Sequence, residues 1–158
     1  MSFEFNADEI FETAEQIERN GATFYRNAAE NIADADKKKL LFHLAEMEDE
    51  HERTFKTMRS ELATDEKVMT TFDPEGESAA YLRALADTRV FYEKDIDTTS
   101  LKEILKAGIT AEKDSIVFYL GIKDAVPVHL GKQKLDGIIK EEMGHIRLLS
   151  KELLTLPK

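Results

Sequence analysis

Cysteine is missing from all 158 residues, which excludes a disulfide framework, a thiolate zinc site, a Cys-ligated iron–sulfur or rubredoxin-like centre and a cysteine nucleophile. Any metal must be held by histidine and carboxylates. Proline (3) and glycine (7) are too scarce for the many tight turns of an all-β chain. Positive charge is also in short supply, with 22 Lys and Arg against 32 Asp and Glu and a net charge of −10. An acidic chain repels phosphate backbones, and its one basic cluster, Lys37-Lys38-Lys39, is too short for a nucleic-acid footprint. The longest apolar stretch, Ile116 to Leu120 with its neighbours, falls far below the ~18 residues of a membrane span. The N-terminus, Met1-Ser2-Phe3-Glu4-Phe5, has no basic region before an apolar one. The expectation is a soluble, cytoplasmic protein with no nucleic-acid and no membrane partner.

What is present instead is long stretches of Ala, Leu, Glu and Lys, which specify an all-α chain. A length of 158 residues suits a single domain, since ~150 residues bury roughly 70% of the unfolded surface. Helices are predicted at about 7–32, 36–63, 100–125 and 131–154. Asn6 with Glu9, and Ser100 with Glu103, read as capping boxes, Asp34 and Asp36 as an acidic turn, and Val126-Pro127 as a stop. The connection 64–99 contains the breaker Asp73-Pro74-Glu75-Gly76 and a weaker helical patch at Ser78 to Ala86. Two short loops and one long link describe a four-helix bundle of two hairpins joined by a crossover.

Steps of three and four along the second helix pick out Leu41, Leu44, Glu48, His51, Phe55, Met58 and Leu62, an inward stripe with two ionisable members at its middle. The fourth helix repeats it as Leu135, Ile138, Glu142, His145 and Leu149. The first gives Ala14, Glu18, Gly21, Tyr25, Ala28 and Ile32, and the third gives Leu101, Leu105, Gly108, Glu112, Ser115, Tyr119 and Ile122. Glu18 to Glu112 and Glu48 to Glu142 are both 94 positions, so the chain reads as two similar hairpins related by a pseudo-twofold axis.

Four carboxylates meeting in a core are strongly unfavourable without counter-charge. Two divalent ions balance them and leave two neutral imidazoles as nitrogen ligands. Glu at i and His at i+3 share a helix face, so the carboxylate can bridge two metals while the imidazole binds one. One Glu from each of two helices with Glu-x-x-His from the other two is the ligand set of di-iron and di-manganese carboxylate bundles. The candidate metal ligands are therefore Glu18, Glu48, His51, Glu112, Glu142 and His145. Mixed oxygen and nitrogen ligation without sulfur suits two Fe ions, with Mn or Zn also compatible. If these glutamates faced solvent instead, Leu41, Leu44, Phe55 and Leu62 would face water with them. Tyr25 and Tyr119 are in reach of a carboxylate on a neighbouring helix, plain core packing being the alternative. Gly21 and Ser115 either leave room beside the metals or allow close helix packing. Arg53, Arg147, Glu15, Glu46, Glu50 and Glu141 read as surface charges, and His43 and His129 as surface or loop residues.

At Glu15-Gln-Ile-Glu18, Gly21 and Phe24-Tyr25, at Glu48-x-x-His51, at Glu112 with Phe118-Tyr119, and at Glu142-x-x-His145, the sequence resembles the ferritin-like di-iron superfamily, and within it the rubrerythrin-type branch, over about residues 7–154. The resemblance implies Glu18 and His51 as terminal ligands of one iron, Glu112 and His145 of the other, and Glu48 and Glu142 as bridges. It also implies a non-haem di-iron oxidoreductase that reduces hydrogen peroxide or dioxygen, and a homodimer. Two departures matter. Full-length rubrerythrins carry a Cys-rich electron-delivering domain, so this chain calls for an external electron donor protein. They also carry an extra Glu where Ser115 stands here, which brings the ligand set nearer to the ferroxidase centre of bacterioferritins. The chain ends just past the fourth helix, which speaks against a storage shell. The alternatives are a ferroxidase or iron-binding protein handling Fe(II), a dimanganese catalase, and a non-catalytic helical module with a structural metal site.

Overall fold

The computed structural model describes residues 7–62, 99–123 and 131–157. Four helices account for nearly all of them: α1 (Ala7–Glu30), α2 (Ala35–Ser60), α3 (Leu101–Lys123) and α4 (Lys132–Leu154). The Asp34 carboxylate starts α2 by accepting from the Asp36 and Lys37 amides at 2.9 and 3.1 Å. This satisfies two of the orphan N–H groups that every helix start exposes. Ser100 caps α3 through the Glu103 amide at 3.3 Å, while the predicted Asn6 cap lies outside the described residues. Gly131 precedes α4 with φ +104°, a left-handed conformation that costs a side-chain-bearing residue strain.

Where helix ends lie inside the described residues the predicted limits agree to within three residues, α1 and α2 ending slightly early at Glu30 and Ser60, while the start of α1 and the end of α3 border residues outside them. Most of the predicted link 64–99, including the patch at Ser78 to Ala86, and the Val126-Pro127 stop lie outside the described residues. Among the described residues no helix is long and apolar enough to cross a membrane.

α1 packs chiefly on α2 and α3 on α4, with α1 on α3 and α2 on α4 joining the hairpins. Cross-helix pairs fix the directions. Arg59 to Asp8 and Arg19 to Glu52 set α1 antiparallel to α2, and Lys37 to Glu152 together with His51 to Glu141 set α2 antiparallel to α4. Tyr25 to Glu112 and Tyr119 to Glu18 set α1 antiparallel to α3. Consequently α2 and α3 run parallel, and the end of one lies at the opposite end of the bundle from the start of the other. The result is a four-helix bundle of two hairpins.

Every predicted stripe residue is buried except Leu101, which is half-buried. Phe11, Phe55 and Tyr119 pack on one another with tilted rings, the centroids 6.5 and 5.3 Å apart. Each such fully buried side chain contributes ~1.5–3 kcal/mol. That apolar packing encloses a polar layer in the core.

Candidate metal centre

Glu18, Glu48, Glu112 and Glu142 are fully buried, one from each helix, and His51 and His145 are buried beside them. The cause is periodicity: each lies on the same stripe as the leucines and aromatics that drive its helix into the core, so the carboxylates are carried in with them. Their ligand atoms form two groups, Glu18, Glu48, His51 and Glu142, and Glu48, Glu112, Glu142 and His145. Within each group these atoms lie within 4.8 Å of one another. Glu48 and Glu142 belong to both. The imidazole rings lie nearly parallel, 5.9 Å apart.

Two tyrosines hold the outer carboxylates crosswise. The Tyr25 hydroxyl donates to Glu112 Oε1 at 2.6 Å, and the Tyr119 hydroxyl donates to Glu18 Oε1. The hydrogen-bonding alternative for these tyrosines is the one found. Their phenols are pushed well above the usual range, by burial first and then by the surrounding carboxylates, so both act as donors.

Eight buried side-chain atoms in the cluster have no hydrogen-bond partner: Glu18 Oε2, both oxygens of Glu48, Glu112 Oε2, both oxygens of Glu142, and Nδ1 of His51 and His145. Several approach one another, as His51 Nδ1 does Glu142 Oε1 at 2.9 Å, but without hydrogen-bond alignment. Buried polar atoms are otherwise almost always paired, and an unpaired one costs ~1–3 kcal/mol, more when charged. Eight of them converging as two groups fit a pair of divalent cations in number, charge and ligand type.

The protonation pattern agrees. Burial, then repulsion from the other glutamates, pushes Glu48 and Glu142 well above the usual carboxylate range. Burial pushes His51 down, but the Glu142 and Glu18 carboxylates outweigh it and hold the imidazole at about 11. Burial also pushes Glu112 up, yet contacts with Glu142, His145 and Tyr25 hold it below its ordinary value. Without cations the cluster relieves its charge by retaining protons.

Two residues depart from the expectation of a surface charge. Glu15 is buried, and its Oε2 accepts from Arg59 Nη1 at 2.9 Å, in an ion-pair group that includes Asp8. Glu141 is half-exposed, but its carboxylate meets His51 Nε2 at 2.5 Å, on the far side of the ring from the cluster. The signal for Glu141 was its place next to Glu142 on α4 opposite His51, which only the α2–α4 pairing reveals. Glu46, Glu50, Arg53, Arg147 and His43 are exposed as expected, and His129 lies outside the described residues. Gly21 is the close-packing case: a Cβ there would come 3.0 Å from Glu48 Oε2. Ser115 turns its hydroxyl to its own helix, donating to the Ala111 carbonyl at 3.0 Å.

Among solved structures the fold resembles a ferritin-like diiron-carboxylate protein from Thermotoga maritima, with a TM-score of 0.73 and 26% identity over 98% of this chain and 99% of that one. The comparison with curated proteins found no match. The rubrerythrin family model matches residues 9–153. With nearly the whole chain covered and a buried carboxylate–histidine cluster at its centre, the protein belongs to the rubrerythrin family as a diiron-type ferritin-like bundle.

Proposed function

We propose that the protein is a non-haem di-iron oxidoreductase that reduces hydrogen peroxide, or dioxygen, with electrons from a separate donor protein. The observation that carries this reading is the set of six buried ligand residues in two groups sharing Glu48 and Glu142, eight of whose atoms have no hydrogen-bond partner. Glu18 and His51 would hold one ion, Glu112 and His145 the other, and Glu48 and Glu142 both. Bound there, two iron ions supply the two electrons that reduction of a peroxide O–O bond requires.

The chain's own part is to position and to insulate. Tyr25 and Tyr119 each occupy one carboxylate oxygen, leaving Oε2 of Glu112 and of Glu18 buried without a hydrogen-bond partner. The cluster is itself buried, and Phe55 packs on Tyr119 beside it, which keeps water away and strengthens every charge interaction inside. In this reading a separate donor protein returns electrons to the site.

Anaerobic stopped-flow absorbance of protein loaded with two Fe(II) tests the reading. Oxidation at least tenfold faster by hydrogen peroxide than by dioxygen is the expected result, and Glu142→Ala should lose the two-iron stoichiometry. Near-full iron content in that variant would sink the assignment. A second reading, a ferroxidase handling Fe(II), is favoured by the serine at 115, whose hydroxyl is engaged with its own helix and supplies no further carboxylate. Dioxygen reacting as fast as peroxide would select it.

A further inference from the structure

The ligands repeat between the two hairpins, and so do the tyrosines: Glu18 and Glu112, Glu48 and Glu142, His51 and His145, Tyr25 and Tyr119 are all related by 94 positions. Glu141 breaks the repeat. Its carboxylate lies 2.5 Å from Nε2 of His51, while Nδ1 of the same ring faces Glu142 Oε1 at 2.9 Å and Glu18 Oε2 at 3.3 Å. At the corresponding place 94 positions earlier, on α2, stands Met47, whose thioether is a poor acceptor. Among the described residues no carboxylate is recorded at His145 Nε2, although His145 Nδ1 has its own carboxylate surroundings, Glu48 and Glu112 at 3.3 Å and Glu142 at 3.6 Å. Another departure from the repeat beside the ligands, Gly21 against Ser115, is engaged elsewhere: Gly21 abuts Glu48, and Ser115 donates to its own helix.

An imidazole that ligates through Nδ1 carries its proton on Nε2. A carboxylate accepting that proton fixes the tautomer and the ring plane and makes Nδ1 a better donor. We propose that Glu141 is a positioning residue that makes the two metal positions unequal, so that the position at His51 fills first and more tightly than the position at His145. The inference rests on the dimetal reading above. Glu141 lies on the rim of a groove between α2 and α4, beside Glu50, Arg53 and Lys134, with half its side chain in solvent. Truncating it therefore opens no core cavity.

Anaerobic titration of the metal-free protein with Co(II), followed by calorimetry and by the visible d–d bands, tests this. The wild type should take up two ions with constants separated at least tenfold, the range associated with such outer carboxylates. Glu141→Ala should weaken the first constant about tenfold or more, leave the second unchanged and shift the band of the first-filled ion. Glu141→Gln, which keeps an acceptor oxygen, should recover part of the loss, and melting of the metal-free protein should stay unchanged in both variants. Two ions bound with both constants unaltered by Glu141→Ala, or with both lowered equally, overturn the positioning role and leave the dimetal centre standing. A wild type that does not take up two ions overturns both.

Discussion

Tyr119 and Tyr25 each sit seven residues after a glutamate of their own helix, yet each hydrogen-bonds the glutamate of the other hairpin. Their stripe position was legible in the sequence because it follows from helical period alone. Which carboxylate each hydroxyl would meet was not, because that depends on how α1 and α3 are set against each other. Tyr119→Phe removes the donor from Glu18 Oε1 and frees that carboxylate to rotate. Affinity at the position shared with His51 should fall about tenfold, and the metal-free protein should lose about 1–3 kcal/mol from the orphaned oxygen. Metal titration paired with thermal melts measures both. Glu15 illustrates the limit of residue-level reading. A glutamate three positions before Glu18 looks like a surface charge, and only Arg59 reaching across from α2 lets it be buried.

The helix ends inside the described residues were readable to within three residues, because the Ser100 cap, the acidic turn at Asp34 and the three-four apolar period are local signals. Gly21 was ambiguous at this scale. Its lack of a side chain suggested either space for a ligand or close packing, and α1 lying against α2 decides for packing, with Glu48 Oε2 only 3.0 Å from where a Cβ would stand. Gly21→Ala should not lower the melting temperature of the metal-free protein, since alanine favours a helix over glycine by up to ~1 kcal/mol. The displaced Glu48 carboxylate should nevertheless weaken metal binding, so the rise in melting temperature on adding metal should shrink. A variant with an undiminished metal-induced rise would show that Glu48 moves aside freely.

Over the whole molecule the centre couples folding to protons. Glu48 and Glu142 are held above the ordinary carboxylate value of 4.5, and His51 is held at about 11 against 6.5. Each keeps in the folded state a proton that the unfolded chain releases earlier. Their contribution is full below the unfolded values and is lost as pH rises, for His51 between 6.5 and about 11. Glu112, held low, acts in the opposite sense: its contribution is present above 4.5 and is lost as the pH falls through its lowered value. Metals replace the retained protons, so the gap in melting temperature between metal-loaded and metal-free protein should widen from about pH 6 to about pH 9, as calorimetric melts at both would show. A gap that narrows with pH would contradict the retained protons. The six candidate ligands, the four helices and the internal repeat were determined by the sequence itself, because helical period alone says which residues share a face and the repeat shows that the pattern occurs twice. Tertiary structure alone decided that Glu141 supports His51, that Glu15 pairs with Arg59 and that the tyrosine bonds cross between hairpins, because each joins helices whose mutual register is set by packing between residues distant in the chain.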